Sequence, residues 1–212
     1  MPLRVEGFAI VSEDGMLADA SGVMPSTLVI EADQKFLSDR LDQAAVIVHG
    51  RNSHENQSQS PQRRRLIATR SIETIGPALD YPHALLWNPA GLSLENAAMM
   101  LGIRQGTAAI LGGTEVFGLF LPRYDVFHLS RLAGLRLPFG RAVFPQVPQR
   151  SPEAVLASSG LESGAQHDLD TSRGVTLSTW HRESRESHLN CASSVSADYD
   201  FSGNGKKGRV RF

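Results

Sequence analysis

Three short stretches hold the residues of this chain that are best suited to chemistry: "HGRNS", "RRRLIATRS" and "LGGTEV". The first sets Gly50, Arg51, Asn52 and Ser53 directly after an apolar run. The second sets Thr69 and Arg70 after another run, and the third sets Gly112, Gly113, Thr114, Glu115 and Val116 after a third. Arginine forks bind phosphate bidentately, and hydroxyls add acceptor and donor capacity. Adjacent glycines allow close approach of backbone to a ligand, and a helix start offers free N–H groups to an anion. Together these suit a phosphorylated dinucleotide. A plainer reading exists for each part. Gly112–Gly113 also suits a tight turn needing positive φ, and Arg51, Arg70 and the Arg63–Arg65 run also suit a solvated face.

The elements that must position these stretches follow from periodicity. "GFAIVS" (Gly7–Ser12) is a short apolar run closed by the turn signal "EDG", hence a buried strand. "EADQKFLSDRLDQ" carries Ala32, Phe36, Leu37 and Leu41 at helical spacing. Strands are expected over "AAVIVHG" (Ala44–Gly50), within "RRRLIATRS", and around Ala84–Trp87. "SLENAAMMLGI" reads as a helix with Ser93 as N-cap. Strands alternating with helices predict an α/β domain with a mixed, mainly parallel sheet flanked by helices. After Pro152, "AVLASSGLESG" and "GVTLSTWHR" read as two antiparallel strands closing the C-terminal edge. In such a sheet ligands sit outside the carboxyl ends of the strands, where all three chemical stretches fall.

Composition bounds the rest. The 212 residues allow one domain plus a tail, expected as 1–182 and 183–212, the latter disordered for lack of apolar residues. A net charge of −1 gives no reason to expect nucleic acid or an anionic membrane as partner. No apolar run nears the roughly 20 residues of a membrane span. The single Cys191 fits a reducing compartment, and "MPLRVEGFAIVSEDG" has no signal-type apolar region, so a cytoplasmic location is expected. G-x-G-x-x-G, P-loop and G-x-S-x-G motifs are absent, and the histidines lack zinc spacing, so no metal is expected. No pattern fixes the oligomeric state; a homodimer is the first candidate.

The ordered set of motifs resembles the dihydrofolate reductase superfamily, which includes the reductase domain of bacterial riboflavin-pathway deaminase–reductases. "ILGGTEVFGLFLPRYDVFHLS" follows that family's order of strand, Gly-Gly, helix, Leu-Pro, strand and hydroxyl residue. "GRNS", "PQRRRLIATR" and "VFP" (Val143–Pro145) resemble three further elements. The resemblance covers about Gly7 to Arg182. It implies a single dihydrofolate-reductase-like domain that binds NADPH and a heterocyclic substrate. It implies a cis peptide at Gly112–Gly113, with Gly113, Thr114, Glu115 and Val116 at the pyrophosphate. Arg51, Asn52, Ser53, Thr69 and Arg70 would cradle the adenosine end, the two arginines selecting the 2′-phosphate. Leu17 and Ala18 would border the nicotinamide, beside a loop containing Met24.

On the substrate side, "ADQKFL" resembles the element that carries the proton-supplying carboxylate of folate reductases. That points to Asp33 as the acid, with Phe36 and Leu37 walling the pterin. It also implies Ser130 beside the carboxylate and Arg63 on the substrate's α-carboxylate. Three features depart from the pattern. Pro25-Ser26 stands where Pro-Trp is usual, the interval from Pro25 to Asp33 is long, so that Glu31 rivals Asp33, and Arg141 replaces an acidic residue. Reduction of a pterin-like heterocycle is therefore the first expectation. A riboflavin-type reductase, in which Arg63 or Arg65 would hold a phosphate, is the second. A nucleotide-binding module without catalysis is the third.

Overall fold

A computed structural model of the chain describes residues 3–53, 59–79 and 81–183. Residues up to Arg182 form one compact unit. The tail expected over 183–212 lies outside the described residues apart from Glu183.

The chain forms β1 (Arg4–Val11), β2 (Met16–Ala18), α1 (Glu31–Leu41), β3 (Val46–Gly50), β4 (Arg65–Ala68), β5 (Ile75–Pro77), β6 (Ala84–Trp87), α2 (Leu94–Met100), β7 (Thr107–Ile110), α3 (Thr114–Phe120), β8 (Val126–Leu132), β9 (Arg141–Ala142), α4 (Pro152–Ser158), β10 (Leu161–Asp170) and β11 (Val175–Arg182). Nine strands make one sheet in the order β10-β11-β8-β1-β7-β3-β4-β6-β5, and β2 pairs with β9 separately. The five central pairings, from β8–β1 across to β4–β6, are parallel. The β10–β11, β11–β8 and β5–β6 pairings are antiparallel. The sheet is thus mixed and mainly parallel, with an antiparallel C-terminal edge. It also has a second antiparallel edge at β5, whose Pro77 is tolerated because an edge strand need not donate every ladder bond.

One sequence expectation is corrected here. "AVLASS" is not a strand: Pro152–Ser158 is helical. Ser151 caps it by accepting from the Ala154 N–H at 3.1 Å, and Pro152 fills the first turn, where no donor is needed. Gly160 follows with φ +82, a left-handed turn out of the helix. β10 begins only at Leu161.

Side-chain alternation divides the core between the two faces. Val5, Val46, Val48, Ala108, Ile110, Phe127 and Leu129 turn to one face and meet Leu94, Ala97, Phe117, Phe120, Val155 and Leu156 from α2, α3 and α4. Phe8, Ile47 and Ala109 turn to the other face, where they meet Phe36, Leu37 and Leu41 of α1. Ile10 and Leu132 pack there with Leu28 and Ile30, just before α1. As the connection from β1 towards the parallel β3, α1 runs back across the sheet. Its first turn lies at the carboxyl ends of the strands, together with the loops after β3, β4 and β7.

Candidate active site

Asp33 is the only acidic residue of α1 that is buried, at 6% exposure. Glu31, two residues earlier, is exposed. The helix turns Asp33 onto the sheet, where Ser130 of β8 donates its hydroxyl to the carboxylate. Ser130 is itself buried at 2% exposure. Burial raises the Asp33 pKa above the ordinary aspartate value, and the Ser130 hydrogen bond opposes this without cancelling it. The result is a carboxyl group, shielded from water, that keeps its proton to higher pH than a surface aspartate.

The long interval between Pro25 and Asp33 has a structural cause. Ser26–Leu28 form an extra 3-10 turn that drives Leu28 inward. Leu28 and Ile30 are both 0% exposed and pack with Ile10, Leu132 and Val175. Leu28→Ala should therefore lower stability by about 2–5 kcal/mol, the range for large-to-small changes in a core, as read from the urea unfolding midpoint. A loss below about 0.5 kcal/mol, as at a surface site, would deny the turn this packing role.

Phe36 and Leu37 are half-buried. Leu37 packs with Phe8, Leu41, Ile47 and Ala109. Phe36 meets the His128 ring edge-on at 5.3 Å and the Phe8 ring at 6.4 Å, and Arg40 lies over it at 5.4 Å. His128 stacks on Phe8 at 4.8 Å, and its Nε2 lies 3.6 Å from Glu6 Oε2. This imidazole is the largest cause holding Glu6 below the usual carboxylate range, against the opposing effect of burial. The buried Glu6–His128 pair escaped the sequence reading. The alternation of "VFHLSRL" carries its signal, since it puts His128 on the same face as Ser130.

Arg63 and Arg65 turn inward. Arg63 is 9% exposed and pairs with Asp42 at the end of α1, Nη2 to Oδ1 at 2.6 Å. Arg65 is 2% exposed and donates to the Ser60 carbonyl at 2.5 Å and to its hydroxyl at 2.6 Å. The Tyr81 ring lies 5.9 Å from its guanidinium.

At the carboxyl ends of β3 and β7 the backbones close up. The Gly50 N–H donates to the Gly112 carbonyl at 2.6 Å. The Gly112–Gly113 peptide is cis, as the resemblance implies. Gly113 caps α3 with no side chain bonded to the helix start. Gly50 and Gly113 thus line a strip of bare backbone beside Ser53, whose Oγ would lie 3.5 Å from a Cβ at Gly113, while the Phe117 ring fills the space that a Cβ at Gly112 would take. Arg51, Asn52 and Arg70 are exposed beside it, and Ser53 is half-exposed. Thr69 is buried and bonds within its own turn, to Ser71 Oγ at 2.9 Å. Glu115 is exposed and Val116 buried. The Thr114 hydroxyl donates to the Ala142 carbonyl, tying α3 to the β2–β9 ladder. In that ladder Ala18 is buried opposite Arg141, with Leu17 half-buried beside it. Met24 is 41% exposed in the following loop. The glycine backbone after β3 and β7 is thus flanked by the exposed guanidinium groups of Arg51 and Arg70. Among the described residues no His, Cys, Asp and Glu cluster suits a metal, and no helix is long and apolar enough to cross a membrane.

No protein-family model matches the sequence, and no curated protein matches it. Solved structures do. A dihydrofolate reductase from Enterococcus faecalis, complexed with NADP(H) and RAB-propyl, superposes with a TM-score of 0.59 at 18% identity, over 85% of this chain and 97% of that one. A riboflavin biosynthesis protein from Shewanella sp. PV-4, described as putative, gives 0.60 at 18% identity, over 86% and 100%. A diaminohydroxyphosphoribosylaminopyrimidine deaminase/5-amino-6-(5-phosphoribosylamino)uracil reductase from Thermotoga maritima gives 0.59 at 13% identity, over 85% of this chain but 57% of that one. The fold is that of the dihydrofolate reductases and of the riboflavin-pathway reductases.

Proposed function

We propose that this chain is an NADPH-dependent reductase of a pterin-like heterocycle, with dihydrofolate as the first substrate. One observation carries the reading: a buried carboxyl on α1, hydrogen-bonded to Ser130, stands at the sheet end that also holds the Gly112–Gly113 strip. Reduction of a C=N bond needs a hydride at carbon and a proton at nitrogen. Bound NADPH would supply the hydride. The chain's own residues would do the rest. Asp33 would hold the proton beside the imine nitrogen, directly or through one water, and its raised pKa keeps that proton available nearer neutrality. Ser130 would fix the rotamer of the carboxyl group. Leu37 would wall the ring, and Phe36 would stiffen α1 behind it. Arg63 would reach a substrate carboxylate only by exchanging Asp42 for it.

The cofactor would lie along Gly113, Thr114, Glu115 and Val116, with Arg51 and Arg70 on the 2′-phosphate. Asn52, Ser53 and Thr69 would complete the adenosine end, and Leu17 and Ala18 would border the nicotinamide. The exposed guanidinium groups are free to fork a phosphate in a way that a lysine could not. Arg51→Ala/Arg70→Ala should therefore raise the Kd for NADPH by at least about tenfold, more than 1.4 kcal/mol, and leave the Kd for NADH nearly unchanged. Equal weakening of both cofactors would remove the 2′-phosphate assignment.

The riboflavin-type reading draws on the same fold likeness. It needs a cationic site for the substrate phosphate. Arg63 and Arg65 are its natural holders, yet both are buried and engaged with Asp42 and Ser60. NADPH consumption measured with dihydrofolate and with 5-amino-6-(5-phosphoribosylamino)uracil separates the readings. Turnover of the first alone supports the proposal, and turnover of the second alone transfers it to the riboflavin type. Cofactor binding without either turnover favours a non-catalytic module.

A further inference from the structure

A separate concavity opens at the opposite end of the parallel strands. It has a volume of about 440 Å³ and is lined by Ala45, Arg64, Gly102, Ile103, Arg104 and Gln105. These residues precede β3, β4 and β7, whereas the glycine strip follows β3 and β7. Since β3 has five residues, about 15 Å of strand separates the two ends. The concavity is therefore distinct from the candidate active site.

Its wall is ordered and its charge is one-sided. Ile103 is buried at 4% exposure, and its N–H donates to the Ala98 carbonyl at 3.0 Å. The Gly106 carbonyl accepts from the Arg4 N–H at 3.0 Å, so the loop is held at both ends. Open space lies above Gly102, where an added Cβ would meet nothing within 4 Å. No carboxylate lines the concavity. Arg64 makes one long bond, Nη1 to the Leu101 carbonyl at 3.4 Å. The side chains of Arg104 and Gln105 have no partner among the described residues.

We infer that this concavity binds a small phosphorylated ligand, with Arg64 and Arg104 as its two guanidinium clamps and the Gln105 amide as a further donor. Two guanidinium groups supply up to about ten N–H donors in fixed forks. A carboxylate, with about four lone-pair sites, cannot accept from all of them, whereas a pyrophosphate or phosphate ester spreads more oxygens over both forks. The concavity is open to solvent, and its volume of about 440 Å³ is room enough for such a ligand. The inference stands apart from the reductase reading, because no residue is shared.

The probe is inorganic pyrophosphate, titrated at constant ionic strength into the full chain labelled for amide NMR. The wild type should show saturable shifts at the Gly102, Arg104 and Gln105 amides. In Arg64→Ala/Arg104→Ala the midpoint should rise at least about tenfold. In Arg51→Ala/Arg70→Ala these shifts should persist, while any response at Gly113 and Thr114 weakens. Should the double variant lose its dispersed spectrum, the exposed single change Arg104→Gln serves in its place. Absence of saturable shifts at the three wild-type amides would overturn the site. Equal shifts with sulfate and acetate would overturn it too, since they would reflect screening alone. Succinate binding as tightly as pyrophosphate would overturn the phosphoryl assignment.

Discussion

Asp33→Asn should lower kcat for dihydrofolate by roughly 10²–10⁴-fold, the usual contribution of a positioned general acid, with NADPH affinity unchanged. Asparagine keeps the volume and can still accept from Ser130, but it has no proton to give. The same change should raise stability at neutral pH. Burial places the folded Asp33 pKa above its unfolded value. Between those two values the native state binds the extra proton, so stability falls as pH rises through the window. Above the folded pKa the full cost of a buried charge is present, and below the unfolded pKa it is gone. Asparagine carries no such cost. The variant's urea midpoint should therefore exceed that of the wild type at neutral pH, and the advantage should shrink as the solution is acidified. Turnover retained by Asp33→Asn would end the acid assignment. A midpoint advantage that persists unchanged at acid pH would show that ionisation is not its source. A gain in stability paired with a loss of activity is what a strained functional group produces.

Much of the scaffold was legible because its elements obey a single period. Ala84–Trp87 and Thr107–Ile110 are short apolar runs between turn residues, and they are strands. Ser93 announces α2, and its side chain does accept from the Asn96 N–H. What escaped the reading was too short or too local. β2, β5 and β9 have two or three residues each, fewer than any periodicity test can use. α4 was misassigned because "AVLASS" is apolar enough for either state. Ser151-Pro152 before it and Gly160 after it held the answer. For the proposed acid, the resemblance left both Glu31 and Asp33 open, and burial distinguishes them: Glu31 is exposed, while Asp33 is buried and accepts from Ser130. The inward turn of Arg63 and Arg65 was not legible, since their partners Asp42 and Ser60 have no motif that marks them.

Gly112→Ala and Gly113→Ala should fail for different reasons, and the contrast tests whether the glycine strip serves the fold or the ligand. Gly112 sits at φ +85, where an L side chain costs about 1–2 kcal/mol. A Cβ there would lie 2.3 Å from Phe117 Cε2, inside a ring that packs edge-on against Phe127 and Phe144. Relief requires that ring to move within a filled core, which adds about 1–3 kcal/mol. Gly112→Ala should therefore lose roughly 2–5 kcal/mol of stability, visible as a large drop in the urea midpoint. Gly113 differs. Its φ is −73, ordinary for any residue, and its added Cβ would come no closer than 3.5 Å, to Ser53 Oγ. Gly113→Ala should fold with nearly wild-type stability. Its methyl group would stand on the strip that the pyrophosphate is proposed to approach, so NADPH should bind at least about tenfold more weakly. Such a chain, stable and poor in cofactor binding, would tie bareness at Gly113 to the ligand. Wild-type affinity in Gly113→Ala would move the pyrophosphate away from this backbone, leaving Gly112 as a requirement of packing alone.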